Sequence, residues 1–196
     1  SPAADGSTAP HLALTPAGDV VMSWLEPAAD GSHALKFATL DGERWSPAKP
    51  LTIGSDWFIN WADFPSVTPI TAKDWVAHWL VKQPGGTYSY DIALAISRDA
   101  GATWNAPLTP HDDGTPTEHG FVTLFPWGDG FGAVWLDGRK TKPSPGGMTV
   151  RYARFGFDGA IRENGEIDEL ACDCCATDVA LATAGPVATY RNRTAD

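Results

Sequence analysis

The sequence predicts an all-β fold in which one kind of sheet recurs along the chain, and two independent markers indicate the repeat. The first marker is an apolar strand that ends in an aromatic residue, at Trp24, Trp79, Trp135 and Tyr190. These residues are spaced by 55, 56 and 55 positions. The second marker is an Asp turn: Asp41-Gly42, Asp99-Ala100-Gly101 and Asp158-Gly159. Its aspartates are 58 and 59 positions apart. A shared period of this length is typical of repeat architectures.

Each repeat contains the signals of four short antiparallel strands. A first apolar strand precedes the aromatic-ended second strand, at 12–14, 67–70, 122–124 and 179–181. A third strand leads into the Asp turn, as at 34–40 and 91–97, and a shorter fourth strand follows it. No segment has a sustained helical period, and the 20 Gly and 16 Pro interrupt the chain often. Period-2 patterning between turn residues is typical of strands.

A sheet of four strands cannot bury both of its faces alone, whereas radial stacking of copies does so. The sequence therefore predicts a β-propeller of four-stranded antiparallel blades. We expect one partial propeller domain over 1–196, with approximate repeats 11–62, 63–118, 119–175 and 176–196. Three blades and the start of a fourth would form part of a six-bladed wheel. The remainder of that propeller, or a second copy of the chain, would then be needed to close it.

Composition excludes some partners. The formal net charge of −10 offers no basic surface for nucleic acid, which needs cations to neutralise its phosphates. The sequence contains no stretch of eighteen apolar residues, so no membrane-spanning segment is expected. The loose, small-residue start Ser1-Pro-Ala-Ala-Asp-Gly resembles a mature end left after signal removal, and we expect a secreted or periplasmic protein.

The middle Asp turn carries the most specific motif. Residues 97–104 read Ser-Arg-Asp-Ala-Gly-Ala-Thr-Trp, which resembles the Asp box (BNR repeat) of the sialidase-like propeller superfamily, Ser-x-Asp-x-Gly-x-x-Trp. Locally, the Asp99 carboxylate can accept backbone N–H groups, Gly101 permits a positive φ, and Trp104 can fill the space between sheets. Residues 41–45 form a shortened copy. The resemblance implies a bacterial exported member whose active site lies on the face opposite these turns.

Propeller geometry assigns loops to that working face. Links that precede a first strand or follow a second strand emerge together, away from the Asp turns. On this basis three unusual segments share one rim: 60–65, 117–120 and 172–178. Residues after the second strands join them, including Glu26, Lys82, Arg139, Arg191 and Arg193. Polar and aromatic side chains from distant parts of the sequence are thus predicted to line one pocket.

The sialidase resemblance implies roles for several of these residues. Such enzymes hold a sugar carboxylate with arginines, because planar guanidinium groups match a carboxylate bidentately. Arg139, Arg191 and Arg193 are the candidates, and the alternative is that each pairs with a neighbouring Asp, such as Asp137 or Asp173. The resemblance further implies Asp63 as the catalytic acid and Glu118 as its partner.

One segment departs from the sialidase pattern. The family enters a first strand with Arg-Ile-Pro, whereas residues 63–66 here read Asp-Phe-Pro-Ser. A carboxylate at this place would repel an anionic sugar, so a neutral glycan, or binding without cleavage, stays open. Asn60, Trp61 and His119 are the candidate substrate-binding residues. For Trp61 and its neighbours the alternative is packing between blades, and for His119 it is capping of a loop.

The segment Cys172-Asp-Cys174-Cys175 suggests a second class of function. Three thiols with His119 could bind copper or zinc, although the spacing matches no familiar zinc pattern. A disulfide is favoured, since an exported protein meets oxidising conditions. It would join Cys172 to Cys175 or to Cys174, or join one of the three to a cysteine outside this sequence. A redox or nucleophilic thiol is the remaining alternative. The sequence therefore leaves two functions open: a carbohydrate-oriented propeller, which would be an exo-sialidase-like glycoside hydrolase or a glycan-binding protein, and a metal-binding or protein-interaction propeller.

Overall fold

The computed structural model describes residues 1–142 and 146–194, and within these ranges it contains strands and no helix. The first sheet is formed by β1 (Thr8–Leu14), β2 (Val20–Pro27), β3 (His33–Asp41), β4 (Arg44–Trp45) and β5 (Lys49–Gly54). Strands β1, β2 and β3 lie in chain order, and both β4 and β5 pair with β3. All of these pairings are antiparallel.

Three further antiparallel sheets follow. The second contains β6 (Ser66–Pro69), β7 (Trp75–Lys82) and β8 (Tyr90–Ser97). A bridge between Leu94 and Leu108 lies where a fourth strand was expected. The third sheet contains β9 (His119–Trp127), β10 (Gly130–Asp137), β11 (Met148–Phe155) and β12 (Ile161–Ala171). The last is a hairpin of β13 (Asp178–Ala182) and β14 (Gly185–Thr189).

The all-β prediction is therefore confirmed, and the sheets are antiparallel meanders in chain order. Trp24, Trp79 and Trp135 lie within the second strand of their sheets, and Tyr190 directly follows β14. The three Asp turns follow β3, β8 and β11. The total number of blades, and the repeat boundaries proposed above, stay predictions.

The chain divides into two compact units. Unit 1 comprises Ser1–Trp79 and Ala93–Leu108, and unit 2 comprises Leu80–Ile92 and Thr109–Asp196. No helix in the described part of the chain is long and apolar enough to cross a membrane.

The core of unit 1 shows why the aromatic residues recur. Phe37 packs edge-on against Trp75 and Trp104, with ring centroids 5.8 and 6.2 Å apart. Gly101 adopts a φ of +79° at this point, and a Cβ there would lie 2.7 Å from the Phe37 ring. Glycine therefore satisfies both the backbone conformation and the close packing of the turn. Asp99 accepts hydrogen bonds from the Thr103 backbone N–H and hydroxyl at 2.8 and 2.6 Å.

Two first strands share an irregularity. Ala9 in β1 and Phe121 in β9 both have a φ of +53°, which is rare for residues with a Cβ. The register of β1 shifts between Thr8 and His11, and the register of β10 against β9 shifts beside Trp135. Bulges of this kind often lie next to functional sites, where they redirect side chains. In unit 2, the bulge begins two residues after His119, at Phe121.

Candidate functional site

Unit 2 gathers ionisable side chains at one end of the third sheet. His119, the first residue of β9, pairs across the sheet with Asp137, the last residue of β10. Residues from the loop before β9 and from β8 complete the group. We call it the acid–histidine cluster, and its members are Asp91, His111, Asp113, His119 and Asp137.

The two histidines of the cluster are stacked. The His111 and His119 rings are 3.7 Å apart and within 6° of parallel, and both side chains are buried. The Nδ1–H of His119 donates to the carbonyl oxygen of Tyr90 at 3.3 Å. The Nδ1 of His111 lies 3.0 Å from Oδ1 of Asp113, to which it donates. These bonds place the proton of each neutral ring on Nδ1 and leave Nε2 as a lone-pair atom.

Both Nε2 atoms are buried and make no hydrogen bond to any residue in the described ranges. The Nε2 of His119 lies 3.2 Å from Oδ1 of Asp113 and 3.8 Å from Oδ1 of Asp137, but the contacts lack hydrogen-bond geometry. Likewise, the Nε2 of His111 is 3.6 Å from Oδ1 of Asp91. Burial lowers the pKa of His111, and the charge of His119 lowers it further. A neutral His111 is therefore favoured.

Asp137 is fully buried and accepts hydrogen bonds from Trp135 on its own strand and from Arg139 just after that strand. The Trp135 indole N–H donates to its Oδ2 at 2.9 Å, and Arg139 donates to it through Nε at 2.7 Å and Nη2 at 2.9 Å. Burial would raise the pKa of Asp137, but the bonds from Arg139 and Trp135 outweigh it and hold the pKa below its ordinary value. Asp137 is therefore a carboxylate at neutral pH.

Asp113 is the second buried carboxylate. Burial again raises its pKa, but hydrogen bonding from Thr115, with the charges of His119 and Arg139, holds the pKa well below the ordinary value. The Nη2 of Arg139 is 3.3 Å from Oδ1 of Asp113. Arg139 thus contacts two buried carboxylates at once. The alternative considered from sequence, pairing with Asp137, is the arrangement that the structure contains.

Glu118 lies beside the cluster with a different environment. The Tyr90 hydroxyl donates to its Oε1 at 2.6 Å. Burial raises the pKa of Glu118, the hydrogen bond from Tyr90 opposes this, and the charge of Asp173 raises the pKa again. The result is a half-buried carboxyl group with a raised pKa. Such groups are suited to donating a proton in catalysis.

Asp173 connects Glu118 to a polar cleft. The cleft has a volume of about 390 Å³ and is lined by Cys172, Asp173, Arg191, Asn192, Arg193 and Thr194. Residues 191–193 are held at the end of β12 by two backbone hydrogen bonds. The Cys172 N–H donates to the Arg191 carbonyl at 2.9 Å, and the Arg193 N–H donates to the Leu170 carbonyl at 3.2 Å. Arg193 Nη1 is 3.8 Å from Asp173, and both side chains are more than half exposed. The guanidinium groups therefore face solvent.

The cysteine segment forms one wall of this cleft. Cys172 and Cys175 form a disulfide, and Cys174 is an exposed free thiol with its Sγ 3.8 Å from Cys172 Sγ. His119, which the sequence grouped with these cysteines, lies instead in a group of possible ligand atoms formed with aspartates. The structure thus separates the proposed four-residue set into a cysteine group and the acid–histidine cluster.

The remaining sequence-derived candidates lie in unit 1. Asn60 accepts the backbone N–H groups of Ala62 and Asp63 at 2.8 and 2.7 Å, so its side chain holds the loop together. Asp63 is buried, whereas Trp61 has 84% of its surface exposed. His78, interpreted from sequence as packed structure, is buried with Nδ1 2.9 Å from Ser66 Oγ.

Sequence reasoning placed Glu118, His119, Arg139, Arg191 and Arg193 on a common rim, and all five belong to unit 2. It missed three members of the cluster: Asp91, His111 and Asp113. Two of them, His111 and Asp113, could have been predicted, because they lie in a loop that precedes a first strand and such loops were assigned to the working face. Asp91 stands at the start of β8 and had no such signal.

A second cleft in unit 2 differs in character. It encloses about 300 Å³ and is mainly apolar, lined by Phe125, Trp127, Val134, Tyr152, Ile167, Val179, Pro186 and Ala188. It contains none of the carboxylates or guanidinium groups described above.

Comparison with known proteins identifies the fold. No family model matches the chain, and no curated protein matches it. Among solved structures, the chain is similar to a Penicillium chrysogenum alpha-L-arabinanase complexed with arabinobiose, with a TM-score of 0.64 and 11% identity. It is also similar to a protein of unknown function from Dyadobacter fermentans DSM 18053, with a TM-score of 0.62 and 14% identity.

The alignments cover 92% and 96% of this chain, but only 58% and 63% of those two structures. At these identities the similarity concerns the fold. The chain is an all-β protein with a propeller-like arrangement of antiparallel sheets, of the kind found in a carbohydrate-active enzyme. The narrower sialidase (BNR) assignment stays a prediction.

Proposed function

We propose that this protein acts on a carbohydrate and that Glu118 is the general acid for cleavage of a glycosidic bond. The observation that carries the proposal is the state of Glu118: a half-buried carboxyl group with a raised pKa, held by Tyr90 at 2.6 Å. Glycoside hydrolysis needs an acid that stays protonated near neutral pH, so that it can donate to the leaving oxygen.

Glycoside hydrolysis also needs a second carboxylate. Asp173 fills this role in the proposal, because its charge acts on Glu118 and its side chain lines the polar cleft. In the reaction Glu118 donates its proton to the glycosidic oxygen as the bond to the anomeric carbon breaks. Asp173 stabilises the positive charge that develops on the sugar, and water supplies the hydroxyl of the product and returns a proton to Glu118.

Arg191 and Arg193 favour a polar or anionic substrate. Their guanidinium groups line the same cleft, where they can bind sugar hydroxyls or a carboxylate. A carboxylated sugar would agree with the sialidase resemblance of the Asp turn. Arg139 contributes to the site differently, because its donors are directed to Asp137 and Asp113. We assign Arg139 a positioning role and leave Asp63 as the competing candidate for the acid.

We further propose that the protein is exported to the periplasm or beyond the cell. The Cys172–Cys175 disulfide supports this, because such bonds persist in oxidising compartments.

The test is hydrolysis of a panel of fluorogenic glycosides that includes an α-sialoside and an α-L-arabinofuranoside. We expect one of them to be cleaved, with Glu118→Gln lowering kcat on the order of 100-fold or more. Asp63→Asn is the matched control, since it makes the same chemical change in unit 1 and should leave kcat within about threefold. Equal loss in both variants with folding intact, or loss only in Asp63→Asn, would contradict the assignment of Glu118.

A second candidate function is binding of copper or zinc by the cysteine segment. It is favoured by one observation, namely that a sulfur atom of each cysteine lies within 4.8 Å of the others. Only the reduced protein could use all three as thiolates, because Cys172 and Cys175 are joined in the structure. Copper(I) binding that requires a reductant and is lost in Cys174→Ser would support this candidate over the first.

A further inference from the structure

The acid–histidine cluster has an imbalance of charge. Asp91, Asp113 and Asp137 contribute three carboxylates, and Arg139 supplies one guanidinium within 3.3 Å of two of them. Three carboxylates and one guanidinium leave two carboxylate charges without a cationic partner in a largely buried volume. Buried charges that lack compensation are costly, so a cation or additional protons must balance them.

Protons on the two histidines are an unfavourable solution. The His111 and His119 rings are stacked 3.7 Å apart, and two parallel imidazolium ions at that distance would repel each other. A divalent cation would balance the same two charges without this repulsion.

The geometry around His119 provides a place for such an ion. Its side chain is fully buried, and its Nε2 makes no hydrogen bond to the described parts of the chain although it faces Oδ1 of Asp113 at 3.2 Å and Oδ1 of Asp137 at 3.8 Å. Ligand atoms around a tetrahedral zinc ion, with bonds of about 2.0–2.1 Å, are separated by roughly 3.3 Å. The separation of His119 Nε2 from Asp113 Oδ1, 3.2 Å, is close to this value, and its separation from Asp137 Oδ1, 3.8 Å, is longer.

The hydrogen bonds of the two histidines also suit metal binding, whereas Arg139 already donates to both oxygens of Asp137. The His119 Nδ1–H donates to the Tyr90 carbonyl, which fixes the tautomer that presents Nε2 as a lone pair. His111 donates to Asp113 and stacks on His119, so it orients both groups. Backbone carbonyls and neighbouring side chains orient ligands in this way in established metal sites.

We propose that unit 2 contains a divalent metal site in which His119 Nε2, Asp113 and Asp137 bind a zinc ion. Three protein ligands leave one coordination position open for water or a ligand hydroxyl. The nitrogen ligand favours zinc over magnesium and calcium, which prefer all-oxygen sites. This site shares no ligand with the cysteine segment, and it is independent of the role proposed for Glu118.

The test is calorimetric titration of ZnCl2 into the purified chain after chelator treatment, with MgCl2 and CaCl2 titrated in parallel. We expect one zinc ion per chain and much weaker binding of the other two ions. Asp113→Asn should weaken zinc binding by about 100-fold, because it replaces a carboxylate ligand by a neutral amide. Asp91→Asn is the matched control: it removes the same charge from the other edge of His119, and should weaken binding by less than about tenfold.

Two further measurements keep the test decisive. Glu118→Gln and Cys174→Ser should each bind zinc like the parent, and Co²⁺ bound to the parent should give a visible spectrum without thiolate charge-transfer bands. Absence of stoichiometric zinc would overturn the proposal and indicate that protons balance the cluster. Equal weakening by Asp91→Asn and Asp113→Asn would overturn it in favour of nonspecific attraction. Loss of binding in Cys174→Ser would assign the ion to the cysteine segment instead.

Discussion

Replacing Arg139 by Met is the most direct test of how the buried carboxylates are held. The change removes hydrogen bonds to Asp137 of 2.7 and 2.9 Å and a contact of 3.3 Å with Asp113. A hydrogen bond to a charged group contributes about 1.5–3 kcal/mol, and removing one partner of a buried pair costs roughly 3–5 kcal/mol. Because the Arg139 side chain is 20% exposed, we expect a loss near the lower end, about 3 kcal/mol at pH 7.

The assay is urea unfolding followed by tryptophan fluorescence at pH 7 and pH 3. Folding holds the pKa values of Asp137 and Asp113 below their ordinary values, so their contribution is present above pH 4 and is lost as the pH falls through the lowered values. The penalty of Arg139→Met should therefore shrink in acid.

Arg98→Met is the matched control for this prediction. Arg98 pairs with Asp74 at 2.5 Å, but its side chain is 63% exposed, so its removal should cost about 0–1 kcal/mol. If both variants lose the same stability at pH 7, or if the Arg139→Met penalty does not change with pH, then the buried pairing is not what stabilises this region.

Three further predictions concern single contacts. Gly101→Ala should lower the free energy of unfolding by about 1–3 kcal/mol, because its Cβ would lie 2.7 Å from the Phe37 ring at a φ of +79°. Gly31→Ala is the control, since Gly31 has a φ of +84° and open space around it. The loss in Gly31→Ala measures the backbone cost alone, and any larger loss in Gly101→Ala measures the steric clash. Trp135→Phe should lower the free energy of unfolding by about 1.5–3 kcal/mol, because it removes the indole donor to Asp137. Urea unfolding measures this loss, and a value below about 0.5 kcal/mol would show that the hydrogen bond is dispensable. The free energy of unfolding of Glu118→Gln should rise relative to that of the parent as the pH rises from 4 to 7. Folding raises the pKa of Glu118, so the stability that its protonated form contributes is lost when it ionises, whereas Gln cannot ionise. If the difference between variant and parent in urea unfolding does not change with pH, the pKa of Glu118 is not raised.

The repeat could be predicted from the sequence because it depends on local rules. Alternation of apolar residues identifies strands, and Gly and Asp at fixed offsets identify turns. Trp24, Trp79 and Trp135 lie in second strands as the period indicated. The same rules placed Glu118, His119 and Arg139 near one another, since sheet direction alone decides at which end a loop emerges.

The contacts within the site could not be predicted in this way. Whether Arg139 would bind a substrate carboxylate or Asp137 depends on side-chain directions that no periodicity records. His111 and His119 are stacked although a loop of mixed composition separates them. The positive φ of Phe121, two residues after His119, is a further feature that sequence patterns do not reveal.

By itself, then, the sequence determined an all-β chain of recurring antiparallel sheets and their strand order. Only the tertiary structure decided that Cys172 bonds to Cys175, that Arg139 pairs with buried carboxylates and that the buried Nε2 of His119 faces Asp113 and Asp137. The physical reason is the distance over which each interaction acts. Strand and turn preferences act between near neighbours, whereas ionisation and ligand geometry depend on distances of a few ångströms between groups brought together by folding.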